Sequence, residues 1–339
     1  MERRAALDYR AMPESRQMKL PLAAGLWAFV CLVGAVAGTW RGYGGPAFAA
    51  ALSAFGLLFA VQIGFAADGV VDYVAPLVYS VRGLLLFAPF LVYLGYALGA
   101  RVFNWRSVAL ALAYAWVPCG LLLSAGDRAK GCWQDYVAAL SIWLPVELHV
   151  LQTAFPYPDR VAHPLWGAYA ISVGLIAFLL IRRIGGVGYK VAWGRGWGFI
   201  VLFNLAWFAV FAIVVGKAIG FIRFAPSMEH LKALPLTALG ILIFNAWPEE
   251  FLFRGLMQNL LSTSLRSDVA GLLVAAVIFG AAHLNNGTQL PNWRYALLAT
   301  FAGVAYGTAW MKTRCIFASA LVHAGVNTLW FALFPTVAR

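Results

Sequence analysis

Two adjacent carboxylates and an arginine stand in the stretch Trp247-Pro-Glu-Glu-Phe-Leu-Phe-Arg-Gly255, inside an apolar run long enough to cross a bilayer. A charged side chain in a bilayer interior is costly, so it faces the protein interior or a water-filled cavity and usually has a function. Glu250 and Arg254 are four residues apart with the acid first, the order that favours an ion pair on one helix face. Glu249 is rotated from Glu250 by about 100°, so the two carboxylates have different surroundings. Arg254 can neutralise Glu250 and leave Glu249 free, on a stripe with Asn245 and Phe253. Pro248 lacks an N–H and is expected to kink the helix just before the acids.

Two later runs carry matching polar groups. In "VIFGAAHLNNG", Phe279 and His283 are four apart, with His283 near the end of its run. In "ALVHAGVNTLW", His323 and Asn327 are four apart, so one helix face presents an imidazole and an amide together. Taken singly, an intramembrane histidine or a Glu–Arg pair is ordinarily structural. Here two acids, an arginine, two histidines and an asparagine fall on three helices within one short segment, while the other runs are nearly free of such groups. Two chemistries fit. In one, Glu249 and His283 hold and deprotonate a water as a general-base dyad, and His323 and Asn327 donate hydrogen bonds to a tetrahedral oxyanion. In the other, the two histidines and a glutamate bind zinc and leave a position open for water. No HExxH is present, but ligands converging from separate helices keep zinc as a lesser alternative.

The elements that must hold these groups are transmembrane helices. The 339 residues are 63% hydrophobic and 11% charged, with mean hydropathy +0.79, far from the roughly half apolar and quarter charged balance of soluble domains. Apolar runs follow one another at 20–40, 46–67, 83–100, 107–126, 136–155, 164–182, 196–216, 235–260, 269–284, 294–312 and 315–334. The expected fold is all-α, a multi-pass transmembrane helical bundle of about 10–11 helices, with a polar site between the C-terminal helices. The fifth run contains Pro145, Glu147, His149 and Gln152 and reads equally as an interfacial or re-entrant helix. If all eleven cross, the basic leader, the 182–195 loop and Lys312 with Arg314 share one side. The net charge of +12 is scattered over short loops, which suits orientation by the positive-inside rule and not a nucleic-acid patch. The expected partners are therefore the lipid bilayer and a membrane-associated peptide or protein, with no nucleic acid. The leader, with Glu2, Asp8 and Glu14, reads as an uncleaved cytoplasmic N-terminus. The expected location is the inner (plasma) membrane of a bacterium. Cys31, Cys119, Cys132 and Cys315 are far apart and indicate neither a zinc knuckle nor a disulfide framework.

"EEFLFR" at 249–254, "FGAAH" at 279–283 and "HAGVN" at 323–327 resemble the EExxxR, FxxxH and HxxxN motifs of the CPBP family. That family comprises the CAAX prenyl endopeptidases and the bacterial proteins of bacteriocin processing and immunity, also called Abi. The resemblance implies an intramembrane glutamate-type endopeptidase with no essential metal and no cofactor. By carry-over, Glu249 with His283 activates water, and His323 with Asn327 forms the oxyanion site. Glu250, Arg254 and Phe279 support the site, as does Asn245 on the stripe of Glu249. The resemblance covers roughly 235–335 and divides the chain into an N-terminal bundle of unassigned role (1–130), additional helices and loops (131–234) and a protease-like core (235–335). Bacteria generally lack prenylated CAAX proteins, so the reaction type carries over and the substrate does not. The alternative class is a non-proteolytic immunity or scaffold protein, or a proton-coupled transporter; the sequence lacks the internal repeat that a transporter predicts. "GVAYG" at 303–307 reads as small-residue helix packing, and "GGVG" at 185–188 as a loop. Glu147 and His149 read as interfacial, with a part in gating or substrate contact left open.

Overall fold

The structure, a computed structural model, describes residues 15–77, 79–159, 162–287 and 290–334. The leader's Glu2, Asp8 and Glu14 lie outside the described residues. The architecture is all-α, as the hydropathy predicts. Its helices are α1 (Leu20–Trp40), α2 (Gly45–Ala66), α3 (Val70–Val74), α4 (Tyr79–Gly99), α5 (Trp105–Ala125), α6 (Trp133–Glu147), α7 (His163–Ile181), α8 (Trp197–Ala218), α9 (Met228–Ser264), α10 (Asp268–Ala281), α11 (Trp293–Thr313) and α12 (Ile316–Leu333). Among the described residues, seven helices, α1, α2, α5, α7, α8, α9 and α12, are long and apolar enough to cross a membrane by length and composition. The protein is an integral membrane protein. Large apolar side chains such as Leu22, Phe29, Leu32, Phe199, Phe203 and Val210 point outward from α1 and α8, as lipid contact requires.

Polar caps mark where several helices begin. Asn104 Oδ1 accepts from the Arg106 N–H at 2.9 Å, Ser267 Oγ from the Ala270 N–H at 3.2 Å, and Asn292 Oδ1 from the Tyr295 N–H at 3.2 Å. Each satisfies a donor that the first turn leaves without a helical partner.

The chain's ends and loops show which turns share an end of the bundle. A two-residue strand β1 (Arg16–Gln17) pairs antiparallel with β2 (Ala192–Trp193). Residues 16 and 193 therefore lie at the same end of the bundle, with α1 to α7 running between them. The same end gathers the later turns. Lys130 Nζ donates to Asn259 Oδ1 at 2.6 Å, Tyr136 OH and Ser264 Oγ are 2.8 Å apart, and the Ile316 N–H donates to the Gly188 carbonyl at 2.9 Å. The basic loops 182–195 and 312–314 thus share one face, as the charge pattern predicts. The opposite face holds the turns at 41–44 and 148–159, joined by a Tyr43–Asp159 hydrogen bond of 2.5 Å.

The fifth run forms a shortened helix. Its helix α6 stops at Glu147, two residues after Pro145, and the chain reaches the far face through a loop and a 3₁₀ turn at Leu151–Ala154. The helix passes Pro145, and His149 at φ +57° accounts for the difference from the expected 136–155, because a left-handed residue turns the chain out of a right-handed helix. The loop at 185–188 is as expected. Gly188 has φ +74°, and a Cβ there would lie 2.1 Å from the Arg314 carbonyl oxygen, so the loop can lie flat against the start of α12 only as glycine.

Pro248 lies inside α9. It does not end the helix: α9 runs on through both prolines, Pro235 and Pro248. The turn is widened instead. Residues Leu242–Ala246 and Phe251–Gln258 are π-helical, and the Trp247 N–H reaches back to the Leu242 carbonyl. Such widened turns inside α-helices recur at functional sites. Here they bracket the two acids.

Candidate functional site

Glu249 stands 15 residues before Ser264, and His283 stands 15 residues after Asp268, so both lie about 22 Å from the basic face at the helical rise of ~1.5 Å per residue. The three polar helices α9, α10 and α12 do bring their groups together. One cavity of about 380 Å³ is lined by Glu249, Asn245, Phe279, His283, His323 and Asn327. Its wall is completed by aliphatic and aromatic residues of α8, α11 and α12, and it extends to Ile222 and Phe334 at the end opposite the basic loops.

The two acids differ sharply in surroundings, as the 100° argument requires. The Glu250 side chain is 0% exposed and the Glu249 side chain is 37% exposed. Glu250 is held from three sides. Its Oε1 accepts from Arg254 Nη1 at 3.0 Å and from His323 Nδ1 at 2.8 Å, and its Oε2 accepts from the Ser319 hydroxyl. A buried carboxylate is tolerable only with such saturation. Glu249 is the acid that reaches the cavity.

Arg254 is sealed in turn. Its Nη2 donates to the Gly303 carbonyl at 3.3 Å, and its guanidinium lies 4.5 Å from the Phe279 ring centroid and 5.3 Å from that of Tyr306. Adjacent aromatic rings attract a cation while keeping water out. Gly303 makes that contact possible, since a Cβ there would sit 2.9 Å from Ala276 Cα. The small-residue pattern at 303–307 therefore packs α11 against α10, as expected, and also delivers a carbonyl to the arginine.

The histidines are oriented by their Nδ1 atoms. His323 donates from Nδ1 to Glu250, stacks on Tyr306 at 4.5 Å between centroids, and turns Nε2 toward Glu249 Oε2 at 3.9 Å. His283 Nδ1 is 2.8 Å from the Phe279 carbonyl. A carbonyl only accepts, so Nδ1 carries the proton and Nε2 keeps its lone pair. The His283 ring stands edge-on to Phe279 at 4.8 Å and to Tyr295 at 4.5 Å. The residue placed between the acids is His323, hydrogen-bonded to Glu250 and 3.9 Å from Glu249; His283 shares the cavity with Glu249. Among the described residues, no three His, Cys, Asp or Glu side chains are grouped closely enough to hold a metal ion.

Several contributors were not apparent in the motifs. Ser319 precedes His323 by four residues and so shares its face of α12, a spacing that could have flagged it. Tyr306 and the Gly303 carbonyl could not be assigned, because their contacts depend on how α11 lies across α9 and α12. Asn286 and Tyr295 also line the cavity, from the turn after α10 and the first turn of α11. His149 lies outside this site; Glu147 stands at a second cavity beside it, lined also by Glu249 and His283.

No curated protein and no solved structure matches the chain. The match to a known family is confined to the segment that supplies both acids, both histidines and their supports. That match supports CAAX-type protease activity in this membrane protein. Residues 231–329, from the start of α9 to the HxxxN face of α12, match the family model described as Rce1-like, the type II CAAX prenyl endopeptidases.

Proposed function

We propose that the protein is a glutamate-type intramembrane endopeptidase that hydrolyses a peptide bond of a membrane-associated polypeptide. The observation that carries this reading is the division of labour between the acids: Glu250 is saturated and sealed, while Glu249 opens into a polar-lined cavity beside two oriented histidines and an amide. Glu249, helped by the unprotonated Nε2 of His283, takes a proton from a water held between them. The water oxygen bonds to the scissile carbonyl carbon, and the carbonyl oxygen becomes an oxyanion. His323 Nε2–H and the Asn327 amide donate to that oxyanion. Donation from Nε2 while Nδ1 donates to Glu250 makes His323 an imidazolium, and Glu250 is its counter-charge. The C–N bond then breaks, and the proton on Glu249 passes to the leaving amine.

The set is electrostatically closed. Glu249 and Glu250 are balanced by Arg254 and His323, so no net charge is stranded in the membrane interior. Remote scaffolding alone would not require an acid open to the cavity. The cavity extends toward Ile222, Asn286 and Phe334, away from the basic loops. By the positive-inside rule the basic face is cytoplasmic, so the substrate approaches from the non-cytoplasmic face and is not a cytoplasmic prenyl-protein.

The test is cleavage of a panel of membrane-inserted and lipidated peptides by the purified full-length protein in detergent, beside Glu249→Gln and His283→Ala, with and without chelator. The expected result is cutting by the wild type that survives chelator. Glu249→Gln abolishes it, and His283→Ala slows it by about 10²–10⁴-fold. Loss of cutting with chelator assigns the chemistry to zinc. Unchanged behaviour of Glu249→Gln assigns the site to a structural role.

A further inference from the structure

The family match begins at residue 231, and the helices before it are long enough to form a bundle of their own. One of their contributions reaches the site directly. A second cavity, of about 200 Å³, lies between α6, α7 and α9. It shares Asn245, Glu249, His283 and Asn286 with the first cavity, so those four residues form a common rim. The first cavity is walled by α8, α11 and α12 and the second by the N-terminal helices.

The second cavity has a distinct chemistry. Two indoles, Trp143 and Trp166, and the carboxylate of Glu147 line it, among aliphatic neighbours that include Val146, Ile171 and Leu252. Trp143 is fixed edge-on to Phe253 at 5.6 Å and donates from Nε1 to Glu147 Oε2 at 3.2 Å, and His163 stands edge-on to Trp166 at 4.6 Å. A carboxylate holding one hydrogen bond keeps acceptor capacity for more. The combination of flat aromatic faces and one anion suits a long side chain with an apolar stem and a cationic head. The volume is below the roughly 300–1,000 Å³ of small-molecule sites, and it fits one side chain of a ligand that continues elsewhere.

We propose that a polypeptide substrate lies across the Glu249 rim into both cavities, and that the α6–α7 cavity is the subsite for a lysine or arginine next to the scissile bond. The subsite gives the N-terminal helices a role in specificity. Trp143 and Trp166 sandwich the aliphatic stem, and Glu147 receives the cationic head near the mouth. The ion pair also draws such a segment toward a site whose own charges are balanced. This inference rests on the peptidase reading for its scissile bond, but binding in the subsite can be read without cleavage.

Two readouts on the full-length protein in nanodiscs separate the two ideas. The probe is a randomised library of membrane-inserting peptides. In the first readout, cleavage products of the wild type, Glu147→Gln and Glu147→Lys are sequenced by mass spectrometry. In the second, benzoylphenylalanine replaces Val146 in a Glu249→Gln background, and photo-crosslinked peptides are identified. The expected result is enrichment of lysine or arginine beside the cut by about fivefold, the size of a partly screened ion pair. Enrichment disappears in Glu147→Gln and shifts to aspartate or glutamate in Glu147→Lys, and the same basic peptides crosslink at 146. If the wild type cuts without basic preference and nothing crosslinks at 146, the subsite is overturned and the peptidase stands. If basic peptides crosslink at 146 but no preparation cuts, the subsite stands and the peptidase reading falls. If neither occurs, both are wrong.

Discussion

Adjacent glutamates in one sequence motif sit in opposite surroundings, one sealed and one open to the cavity, and substitutions at each should separate stability from chemistry. Glu250 is sealed against Arg254, His323 and Ser319. Glu250→Gln leaves Arg254 without its counter-charge, at a cost of about 3–5 kcal/mol, which a denaturant melt of the detergent-solubilised protein will report as a strongly lowered midpoint. Ser319→Ala removes one bond to a charged acceptor and should cost about 1.5–3 kcal/mol. Glu249→Gln changes a partly exposed group that holds none of Glu250's three bonds, so it should cost clearly less than Glu250→Gln while losing activity. Equal destabilisation by both glutamate substitutions would contradict the division. The sequence foreshadowed this division through the i,i+4 spacing of Glu250 and Arg254 and the rotation of Glu249. It paired Glu249 most closely with His283, whereas the structure puts His323 between both acids. Spacing along one helix is readable from a sequence; which of two histidines on other helices turns toward an acid depends on their relative rotation and depth.

The helices position the site through two local devices. Widened turns flank the acids in α9 and absorb Pro248 without breaking the helix. The sequence signalled a disturbance there but not its form, because a missing N–H can be accommodated by a kink or by a shift to i→i+5 bonding. The second device is the close approach of α11 to α10 at Gly303. Gly303→Ala puts a Cβ against Ala276 backbone, at 2.9 Å from its Cα, and should cost about 1–3 kcal/mol through forced separation. At Gly240 in α9, an added Cβ would meet nothing within 4 Å, so Gly240→Ala should be neutral or slightly stabilising. Comparison of the two melting midpoints checks the packing reading; equal midpoints would mean that α11 does not rest on α10 through Gly303. The pair of glycines four apart, Gly303 and Gly307, was legible as packing. The carbonyl that Gly303 supplies to Arg254 was not, since a backbone acceptor leaves no trace in residue identity.

At the scale of the molecule, each of the eleven apolar runs falls on a helix, and seven helices are long and apolar enough to cross a membrane among the described residues. Long apolar runs report membrane helices directly, because no other spanning structure satisfies the backbone in a single segment. The fifth differed because its helix ends at Glu147 and the chain goes on through a loop and a 3₁₀ turn, which composition does not distinguish from a re-entrant turn. The β1–β2 pairing and the Gly188–Ile316 bond settle which loops share a face. Single cysteines introduced at Arg195 and Lys312 should therefore label with an impermeant maleimide from one side of the membrane, and those at Arg223 and Asn285 from the other. Labelling of Arg195→Cys and Arg223→Cys from the same side would refute the topology. The role of the helices before residue 231 could not be read from their sequence. Their polar contribution to the site, Glu147 with two indoles, becomes recognisable only when α6 and α7 lie against α9.

The central claim is that Glu249 activates a water that attacks the peptide carbonyl directly. It is tested by a single turnover of a cleaved peptide in ¹⁸O-labelled water, with mass spectrometry of both the product and the enzyme. The account predicts one ¹⁸O in the new carboxylate of the peptide, none in Glu249, and no product from Glu249→Gln under the same conditions. Label in the Glu249 carboxylate would show covalent attack by the acid itself, and product formation by Glu249→Gln at the wild-type rate would show that this carboxylate does not carry the reaction.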